Sequence, residues 1–383
     1  MTVARRILAV TGSRADWGYL APPLMLLRDD DAFDLKVVVT GQHLVEQGTA
    51  SLAAIAADGL AVDARVDMLL AADSALGVAK SLGLAVIGFA DVLAQMRPDL
   101  LFVLGDRYEI LAAVQAALIA RVPVAHLAGG DLTEGAIDDA IRHSITKMSH
   151  LHFVTNAGSA ERVRQLGENP DRIHNVGSTG LDRIGMTAPM PRGAFFESIG
   201  LSPRPRNAVV TFHPVTLASD SDRQCQELLA ALDHLGPDVG LILTGVNADA
   251  GGRSLEALIR DFAAGHDNAV AVASLGSERY LSALTHVDVV IGNSSSGLYE
   301  APSFHVPTVN IGNRQAGRTR AASVIDCAPE RDAILAAIER AFALDCSGVV
   351  NPYGDGRASQ RIVTVLKRLE NPQDLLKKTF FIP

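Results

Sequence analysis

The sequence of 383 residues is poor in cysteine and carries no surplus of positive charge. Its three cysteines, Cys225, Cys327 and Cys346, are widely spaced and form neither a zinc-ligand pattern nor a disulfide framework. We therefore expect buried, unreactive thiols and a reducing, cytoplasmic location. The net charge is −9 at pH 7. This balance argues against a nucleic-acid partner, because there is no basic excess to neutralise phosphates.

The sequence also lacks obvious membrane and export signals. It has no unbroken run of about eighteen apolar residues, so we expect no transmembrane helix and no membrane partner. Its first residues enter an apolar stretch directly, without the charged and apolar regions of a signal peptide. Hydrophobic residues make up 48% and charged residues 20%, as in soluble globular proteins with a sizeable core. A chain of this length is long enough for two domains.

Short aliphatic runs alternate with longer amphipathic stretches along the chain. Such runs are typical of parallel strands that are buried on both faces. The predicted strands are residues 7–10, 35–39, 100–104, 123–127 and 151–154, then 208–212, 240–243, 269–272, 287–291 and 307–312. Helices are predicted over residues 76–95 and 108–120. The alternation predicts an α/β fold with doubly wound parallel sheets.

A break rich in glycine and proline separates two series of strands, between residues 177 and 206. It predicts an N-terminal Rossmann-like domain over residues 1–180 and a second one over residues 181–357. We expect the strand ends of both domains to face a cleft, where the ligands of open sheets bind. Apolar residues at intervals of three and four predict an amphipathic helix over residues 358–369.

A turn of small residues, 292–303, follows one predicted strand and precedes another. It offers backbone N–H groups and the hydroxyls of Ser294, Ser295 and Ser296 at the start of a predicted helix, which suits a phosphate or diphosphate. Glu300 is suited to accept hydrogen bonds from sugar hydroxyls. The feature therefore points to a nucleotide that carries a sugar. The alternative is that serine and glycine simply form a turn.

Acidic residues follow two neighbouring predicted strands of the first domain. Asp106 and Arg107 come directly after residues 100–104, although an N-cap and a solvated arginine would give the same pattern. The segment after the next strand contains, within thirteen residues, four carboxylates and a histidine, namely Asp131, Glu134, Asp138, Asp139 and His143. Crowded carboxylates repel one another, and the resulting rise in pKa suits acid/base catalysis. Their spacing matches no metal-ligand pattern, so we expect no metal.

Further polar residues lie at the ends of other predicted strands. Residues 11–16 contain no GxGxxG, which argues against a dinucleotide cofactor. Arg14 is placed to bind a phosphate, and Asp16 is expected to cap the following helix. In the second half, His213, Asn247 and Arg314 end strands. His213 is either a site residue or a structural one, and Arg314 is a second candidate for a diphosphate.

Four motifs together resemble one known family. They are Gly105-Asp106-Arg107, the block from Gly130 to Lys147, His213-Pro-Val-Thr, and the turn from Gly292 to Glu300. In order and spacing these motifs resemble the hydrolysing UDP-N-acetylglucosamine 2-epimerases. They are most similar to the bacterial branch that supplies sialic-acid-type sugars, including the precursor of legionaminic acid. The resemblance extends from Arg14 to Arg314.

This resemblance implies a glycosyltransferase-B-like fold in which residues 358–383 pack back on the first domain. It implies conversion of UDP-N-acetylglucosamine and water to N-acetylmannosamine and UDP through a glycal, with no cofactor. The alternative is the same reaction on GDP- or UDP-N,N'-diacetylbacillosamine. A homodimer or homotetramer is also expected. Outside the family, a glycosyltransferase or a non-catalytic nucleotide-sugar binder would share the diphosphate site.

The resemblance also implies roles for individual residues. Asp106 and Asp138 correspond to catalytic carboxylates, and His213 to a group that aids departure of the diphosphate. The implied substrate contacts are Arg14, His43, Arg107, Arg142, His143, Asn247, Ser294, Ser295, Glu300 and Arg314. Many relatives carry a glutamate where this chain has Ala128. Asp131 and Glu134 are the nearby candidates to replace it in proton transfer.

Overall fold

The computed structural model describes residues 4–45, 49–71, 74–133, 137–214, 220–245 and 252–382. The chain forms two compact units, Met1–Arg183 with Tyr353–Pro383, and Ile184–Pro352. Each unit contains one parallel sheet with helices on its faces. This is the α/β class predicted from the alternation of aliphatic and amphipathic segments.

The sheet of the first unit has seven parallel strands in the order β3-β2-β1-β4-β5-β6-β7. The strands are β1 Arg5–Thr11, β2 Phe33–Thr40, β3 Ala64–Val66, β4 Leu100–Leu104, β5 Val124–Leu127, β6 Leu151–Val154 and β7 Ile173–Asn175. The order reverses between β1 and β4, and open α/β sheets bind their ligands at the carboxyl ends of strands at such a switch point.

The sheet of the second unit repeats this topology with six parallel strands in the order β10-β9-β8-β11-β12-β13. The strands are β8 Arg206–Thr211, β9 Val239–Thr244, β10 Ala269–Val272, β11 Val289–Gly292, β12 Thr308–Ile311 and β13 Val324–Cys327. Here the order reverses between β8 and β11. The carboxyl ends of these two strands are therefore the expected place for a ligand.

Fourteen α-helices connect and cover the strands of the described chain. They are α1 Arg14–Arg28, α2 Thr49–Ala57, α3 Ala75–Met96, α4 Tyr108–Ile119, α5 Ile137–Met148, α6 Ala157–Gln165, α7 Asp182–Met186, α8 Arg192–Ile199, α9 Ser221–His234, α10 Gly252–Ala264, α11 Gly276–His286, α12 Ser296–Tyr299, α13 Arg331–Ala343 and α14 Ala358–Arg368. The predicted helices over residues 76–95, 108–120 and 358–369 are confirmed as α3, α4 and α14.

The core consists of aliphatic strand residues that helices cover on both faces of each sheet. All five residues of β4 are buried, as expected for a central parallel strand. Helix α14 packs against α1, and its Ile362 and Leu366 are fully buried in the core of the first unit. The C-terminal segment, by sequence far from β1, thus completes one face of the first sheet.

Helix α3 bears on the expectation of no transmembrane helix, which stays a prediction. By length and composition alone it could cross a membrane, the only such helix in the part of the chain that the structure describes. Because Lys80 and Asp91 interrupt its apolar sequence, the helix contains no unbroken apolar run of about eighteen residues. A single helix of this kind is weak evidence for a membrane span, because apolar helices of soluble proteins meet the same criterion.

Candidate functional site

Polar side chains of the first unit converge at the carboxyl edge of its sheet. Arg14 follows β1, Asp106 and Arg107 follow β4, and Asp131 follows β5. These strands are neighbours at or beside the switch point. Because β4 pairs in parallel with both β1 and β5, the turns that carry these residues lie at one edge of the sheet.

Arg142 of α5 connects the elements that carry the acidic residues. Arg142 is 5% exposed, and its guanidinium pairs with the carboxylate of Asp106 through Nη2. Nη2 also donates to the hydroxyl of Thr133 at 2.8 Å, and Nη1 donates to the backbone oxygen of Asp131 at 2.8 Å. Because a buried cation requires partners, this arginine fixes the position of Asp106. Its predicted contact with substrate stays a prediction.

The other predicted carboxylates differ in their surroundings. One oxygen of Asp131 accepts the hydroxyls of Thr155 and Ser159, both at 2.6 Å, so this group holds β5 and α6 together. Asp138 is half-buried in the first turn of α5, where the helix dipole favours a negative charge. Glu134 lies outside the described residues.

His143 lies one turn of α5 beyond Asp139. Its Nε2 is 3.4 Å from Oδ2 of Asp139. Its other ring nitrogen, Nδ1, is buried and has no hydrogen-bond partner within the described chain. A buried ring nitrogen without a partner costs free energy, so a ligand that supplies one would be favoured here.

His126 is a residue of this edge that the sequence reasoning missed. Its ring is fully buried in β5, and burial lowers its pKa to about 3. The neutral ring donates from Nε2 to the backbone oxygen of Gly105 at 2.8 Å. Nδ1 accepts the hydroxyl of Thr146 at 3.2 Å. This histidine therefore positions the turn that carries Asp106.

A second group of charges lies where β1 and β4 end. The N-cap of α1 is Ser13, whose hydroxyl accepts the backbone N–H of Asp16 at 3.3 Å. The prediction that Asp16 caps this helix is therefore wrong, because Ser13 already has the extended backbone of a cap. Arg107 pairs with the fully buried Glu109 at 2.7 Å. Burial raises the pKa of Asp16, with Glu109 adding to the effect and Arg107 opposing it.

His43 is buried behind this edge. The ring is 0% exposed, with Nε2 3.0 Å from the hydroxyl of Thr11 and Nδ1 2.7 Å from that of Ser51. Burial lowers its pKa to about 4. In this arrangement His43 links the end of β1 to α2, and its predicted sugar contact stays a prediction.

The second unit builds its site around the turn after β11. Gly292 has a φ of +134°, and an added Cβ would overlap the backbone oxygen of Thr211. The next residue, Asn293, bridges this turn to the end of β8. Its Oδ1 accepts the backbone N–H of His213 at 2.8 Å, and its Nδ2 donates to the backbone oxygen of His213 at 2.8 Å. The two strand ends are thus fixed against each other.

A cavity of about 370 Å³ opens at this edge of the second sheet. It is lined by residues from the ends of β8, β9 and β11 and from α11, among them Thr211, His213, Thr244, Gly276, Tyr280, Ser294, Ser296 and Glu300. Burial raises the pKa of Glu300 to about 7, and its Oε2 has no hydrogen-bond partner in the described chain. The hydroxyl of Tyr280 is hydrogen-bonded to that of Ser296. Sequence reasoning missed Tyr280.

The remaining predicted residues of this unit lie around the same turn. Ser295 is the N-cap of α12, a single helical turn that is followed by a 3₁₀ turn at Ala301–Phe304. Arg314, after β12, donates from Nη1 to the backbone oxygen of Asn293 at 3.1 Å. Asn247 lies outside the described residues. Serine hydroxyls, Arg314 and an acceptor carboxyl are therefore gathered at one sheet edge, a set that suits a nucleoside diphosphate.

The described residues contain no group of three or more His, Cys, Asp or Glu side chains that could hold a metal ion. The three cysteines have no disulfide partner, and burial raises the pKa of Cys225 to about 12 and that of Cys327 to about 11.

Comparison with known proteins gives a consistent result. The family model described as UDP-N-acetylglucosamine 2-epimerase matches residues 26–367. A Legionella pneumophila protein named UDP-N,N'-diacetylbacillosamine 2-epimerase (hydrolyzing) is 34% identical over 98% of both chains. A Campylobacter jejuni protein named GDP/UDP-N,N'-diacetylbacillosamine 2-epimerase (hydrolyzing) is 35% identical over 84% of both chains.

The fold is also that of solved structures. A crystal structure of UDP-GlcNAc 2-epimerase from Neisseria meningitidis bound to UDP-GlcNAc superposes with a TM-score of 0.75 at 18% identity, covering 95% of this chain and 100% of the other. The predicted glycosyltransferase-B-like architecture is thereby confirmed. With its two switch-point edges and a family match over most of its length, the chain belongs to the UDP-N-acetylglucosamine 2-epimerase family.

Proposed function

We propose that this protein is a hydrolysing 2-epimerase that releases UDP from a UDP-linked 2-acetamido sugar and inverts carbon 2 of the sugar. The observation that carries the proposal is the pairing of buried Arg142 with Asp106 among the acidic residues of the first unit. Family membership supplies the reaction class. The candidate sugars are N-acetylglucosamine and N,N'-diacetylbacillosamine. The names of the Legionella and Campylobacter relatives favour the second, which would place the product in the synthesis of legionaminic-type acids.

In the first step a carboxylate takes the proton from carbon 2 while the bond from carbon 1 to the diphosphate oxygen breaks. The electrons of the C–H bond form the C1–C2 double bond, and UDP leaves with the electrons of the C–O bond. In the second step water adds its hydroxyl to carbon 1, and carbon 2 receives a proton on the opposite face. Because the two proton transfers use opposite faces, two groups are required. Asp106 after β4 and Asp138 on α5 are the candidates.

Arg142 favours the first role for Asp106. An adjacent guanidinium stabilises the ionised form of a carboxyl group, and a base must be ionised to accept a proton. The hydrogen bond from His126 to the backbone oxygen of Gly105 fixes the residue directly before Asp106. A base fixed in this way loses little entropy when the substrate binds.

The second unit would hold the leaving group. The turn at Ser294 and Ser296 offers hydroxyls, and Arg314 lies against this turn with a positive charge for the diphosphate. Glu300, with an unpaired buried oxygen, would accept hydrogen bonds from ribose hydroxyls. Stabilising the negative charge on departing UDP lowers the barrier of the first step.

The test is incubation of the protein with UDP-N-acetylglucosamine and with UDP-N,N'-diacetylbacillosamine in D₂O without an acceptor. Phosphorus and proton NMR should show free UDP together with a free sugar that has inverted configuration and deuterium at carbon 2. UDP release that depends on an added acceptor would indicate a glycosyltransferase. Binding without any UDP release from either sugar would indicate a nucleotide-sugar binder. The GDP-linked sugars in parallel reactions measure selectivity for the base.

A Glu300→Gln variant should remove a pH dependence from UDP binding. The pKa of Glu300 is raised to about 7 by burial, and ribose hydroxyls donate to the ionised form. Wild-type affinity should therefore fall about tenfold from pH 8 to pH 6, beyond the change seen in the variant. Because both proteins bind the same diphosphate, its own ionisation cancels in the comparison. Parallel pH profiles from calorimetry would remove Glu300 from the nucleotide site.

The same raised pKa affects the stability of the protein without ligand. The folded state holds the proton of Glu300 more tightly than the unfolded state, in which the pKa of this carboxyl is 4.5. The stabilising contribution of this proton is fully present below pH 4.5 and is lost as the pH rises through about 7. In the Glu300→Gln variant this component of the pH dependence should be absent.

A further inference from the structure

The chain ends in a segment that returns to the first unit after α14. A 3₁₀ turn, Pro372–Leu376, follows α14, and we call the next residues, 377–382, the C-terminal tail. Arg172, which directly precedes β7, holds the start of this tail. Its Nη1 donates to the backbone oxygen of Leu375 at 2.7 Å, and its Nη2 donates to that of Lys377 at 3.0 Å. The tail is therefore attached to the segment between α6 and β7.

A buried carboxylate in the same segment, Glu168, receives the next residue of the tail. Glu168 is 2% exposed. Its Oε2 accepts Nζ of Lys378 at 2.7 Å and lies 2.9 Å from Nε2 of His152. Its Oε1 accepts Nζ of Lys147 at 2.8 Å. Burial by itself would raise the pKa of Glu168, but its three hydrogen bonds together lower it to about 2. The carboxylate is therefore ionised, and a buried charge requires partners of this kind.

The ammonium group of Lys378 also caps the C-terminus of α5. Its Nζ donates to the backbone oxygens of Lys147 and Ser149, both at 2.6 Å. The last carbonyls of a helix have no partner within it, and the helix dipole favours a cation at this end. An ammonium group has three hydrogen atoms to donate, and these two oxygens and Glu168 accept all three. Lys378 thus joins α5 to Glu168.

Packing and a backbone hydrogen bond hold the tail beyond Lys378. The ring of Phe380 lies against the ammonium group of Lys147, with its centroid 4.6 Å from Nζ. The backbone N–H of Phe381 donates to the backbone oxygen of Gly167 at 2.9 Å. Gly167 has a φ of +80°, and an added Cβ there would overlap the ring of Phe380. The tail is thus fitted to this surface by shape as well as by charge.

Helix α5 has little apolar packing to fix its position. Three of its twelve residues are buried, namely Arg142, Ile145 and Thr146. Arg142 pairs with Asp106, and Asp138 lies in the first turn. Met148, the last residue of α5, is six residues beyond Arg142, about 9 Å along the helix axis. Because tertiary contacts supply most of the stability of a helix, contacts at its C-terminal end contribute to the position of both site residues.

We propose that the C-terminal tail is a clasp for α5, in which Lys378 is a positioning residue that fixes Arg142 and Asp138 at the carboxyl edge of the first sheet. The inference rests on the proposed function, since it is the epimerase reaction that requires these residues to be held in place. Lys378 acts through the C-terminal end of α5, whereas the predicted UDP contacts are Arg14, the turn after β11 and Arg314. Loss of Lys378 should therefore lower kcat and leave UDP affinity unchanged.

A Lys378→Met variant tests the clasp, because methionine keeps much of the side-chain length and removes the charge and its three donors. We expect kcat for UDP release to fall at least about tenfold, with the wild-type UDP affinity in calorimetry. Amide hydrogens in the last turn of α5 should exchange in D₂O at least about tenfold faster. Lys377→Met is the matched control, since Lys377 is an exposed neighbour in the same tail. It should equal the wild type in all three measurements.

Two further proteins separate positioning from stability alone. Lys378→Cys alkylated with 2-bromoethylamine carries an ammonium group on a side chain isosteric with lysine. It should regain the kcat of wild-type protein treated with the same reagent. Arg172→Met removes the hydrogen bonds to Leu375 and Lys377 and leaves the sequence of α5 and Lys378 unaltered. Because it frees the start of the tail, it should also lower kcat and speed exchange in α5.

The outcomes that would overturn the clasp differ from those that would overturn the proposed function. A Lys378→Met protein with wild-type kcat and a lowered melting temperature would show that the tail serves stability alone. Equal losses of kcat and UDP affinity, or an alkylated cysteine variant that stays slow, would also overturn the clasp. A wild-type protein that releases no UDP from either sugar overturns the proposed function instead. Exchange in α5 then decides the matter, and unchanged rates in Lys378→Met would overturn the clasp as well.

Discussion

An Asp106→Asn variant should lose about 10²- to 10⁴-fold in kcat and still bind UDP as the wild type does. The amide has the size of the carboxylate and can still accept a hydrogen bond from Arg142, so the turn after β4 should keep its position. It cannot accept the proton from carbon 2. The predicted UDP contacts, Arg14 in the first unit and the serine turn with Arg314 in the second, are unchanged by the substitution. UDP release measures kcat, and calorimetry measures UDP affinity.

Asp67→Asn is the matched control for this experiment, because Asp67 is an exposed carboxylate of the same unit. It should be indistinguishable from the wild type. If Asp106→Asn retained kcat within about threefold, the residue would have no part in proton transfer. A fall in melting temperature together with kcat would instead identify Asp106 chiefly as a partner that stabilises buried Arg142.

The strands and long helices could be predicted because their sequences carry their own signal. The predicted first and last residues agree with the structure for β4, β6 and β10. Each of these strands is a short apolar run that ends at a polar residue or a turn. β3, β7 and β13 were missed. β3 and β7 have only three residues and little burial, and they form because a neighbouring strand offers a parallel edge. Their sequence alone contains little of that information.

The position of the site followed from topology more than from individual residues. Polar turns after neighbouring parallel strands must meet at one edge, so the convergence of Asp106 and Asp131 was predictable. The role of His126 was not predictable, because it lies within a buried strand and reaches the backbone oxygen of Gly105 only in the folded chain. The only signal for His126 is a histidine inside an aliphatic run. His43 shows the opposite difficulty, since a motif position predicted a ligand contact and the folded chain buries the ring.

The largest structural effect should come from Gly292→Ala. At a φ of +134° any side chain is strained, and the new methyl group would overlap the backbone oxygen of Thr211 on the adjacent strand. The ends of β8 and β11 would have to separate. The side chain of Asn293 could then no longer make both of its hydrogen bonds to the backbone of His213. We expect a loss of about 3 kcal/mol in the free energy of unfolding, from strain and overlap together.

The same separation should abolish nucleotide binding, because it moves Ser294 and Ser296 away from Thr211 and Thr244, which line the same cavity. Urea denaturation gives the stability and calorimetry gives the UDP affinity, which should fall at least about a hundredfold. Gly193→Ala is the matched control. This glycine lies in α8 of the same unit, with no heavy atom within 4 Å of its Cβ position, and its variant should bind UDP normally. A Gly292→Ala protein that is destabilised yet binds UDP with wild-type affinity would show that the turn after β11 shapes the sheet without holding the nucleotide.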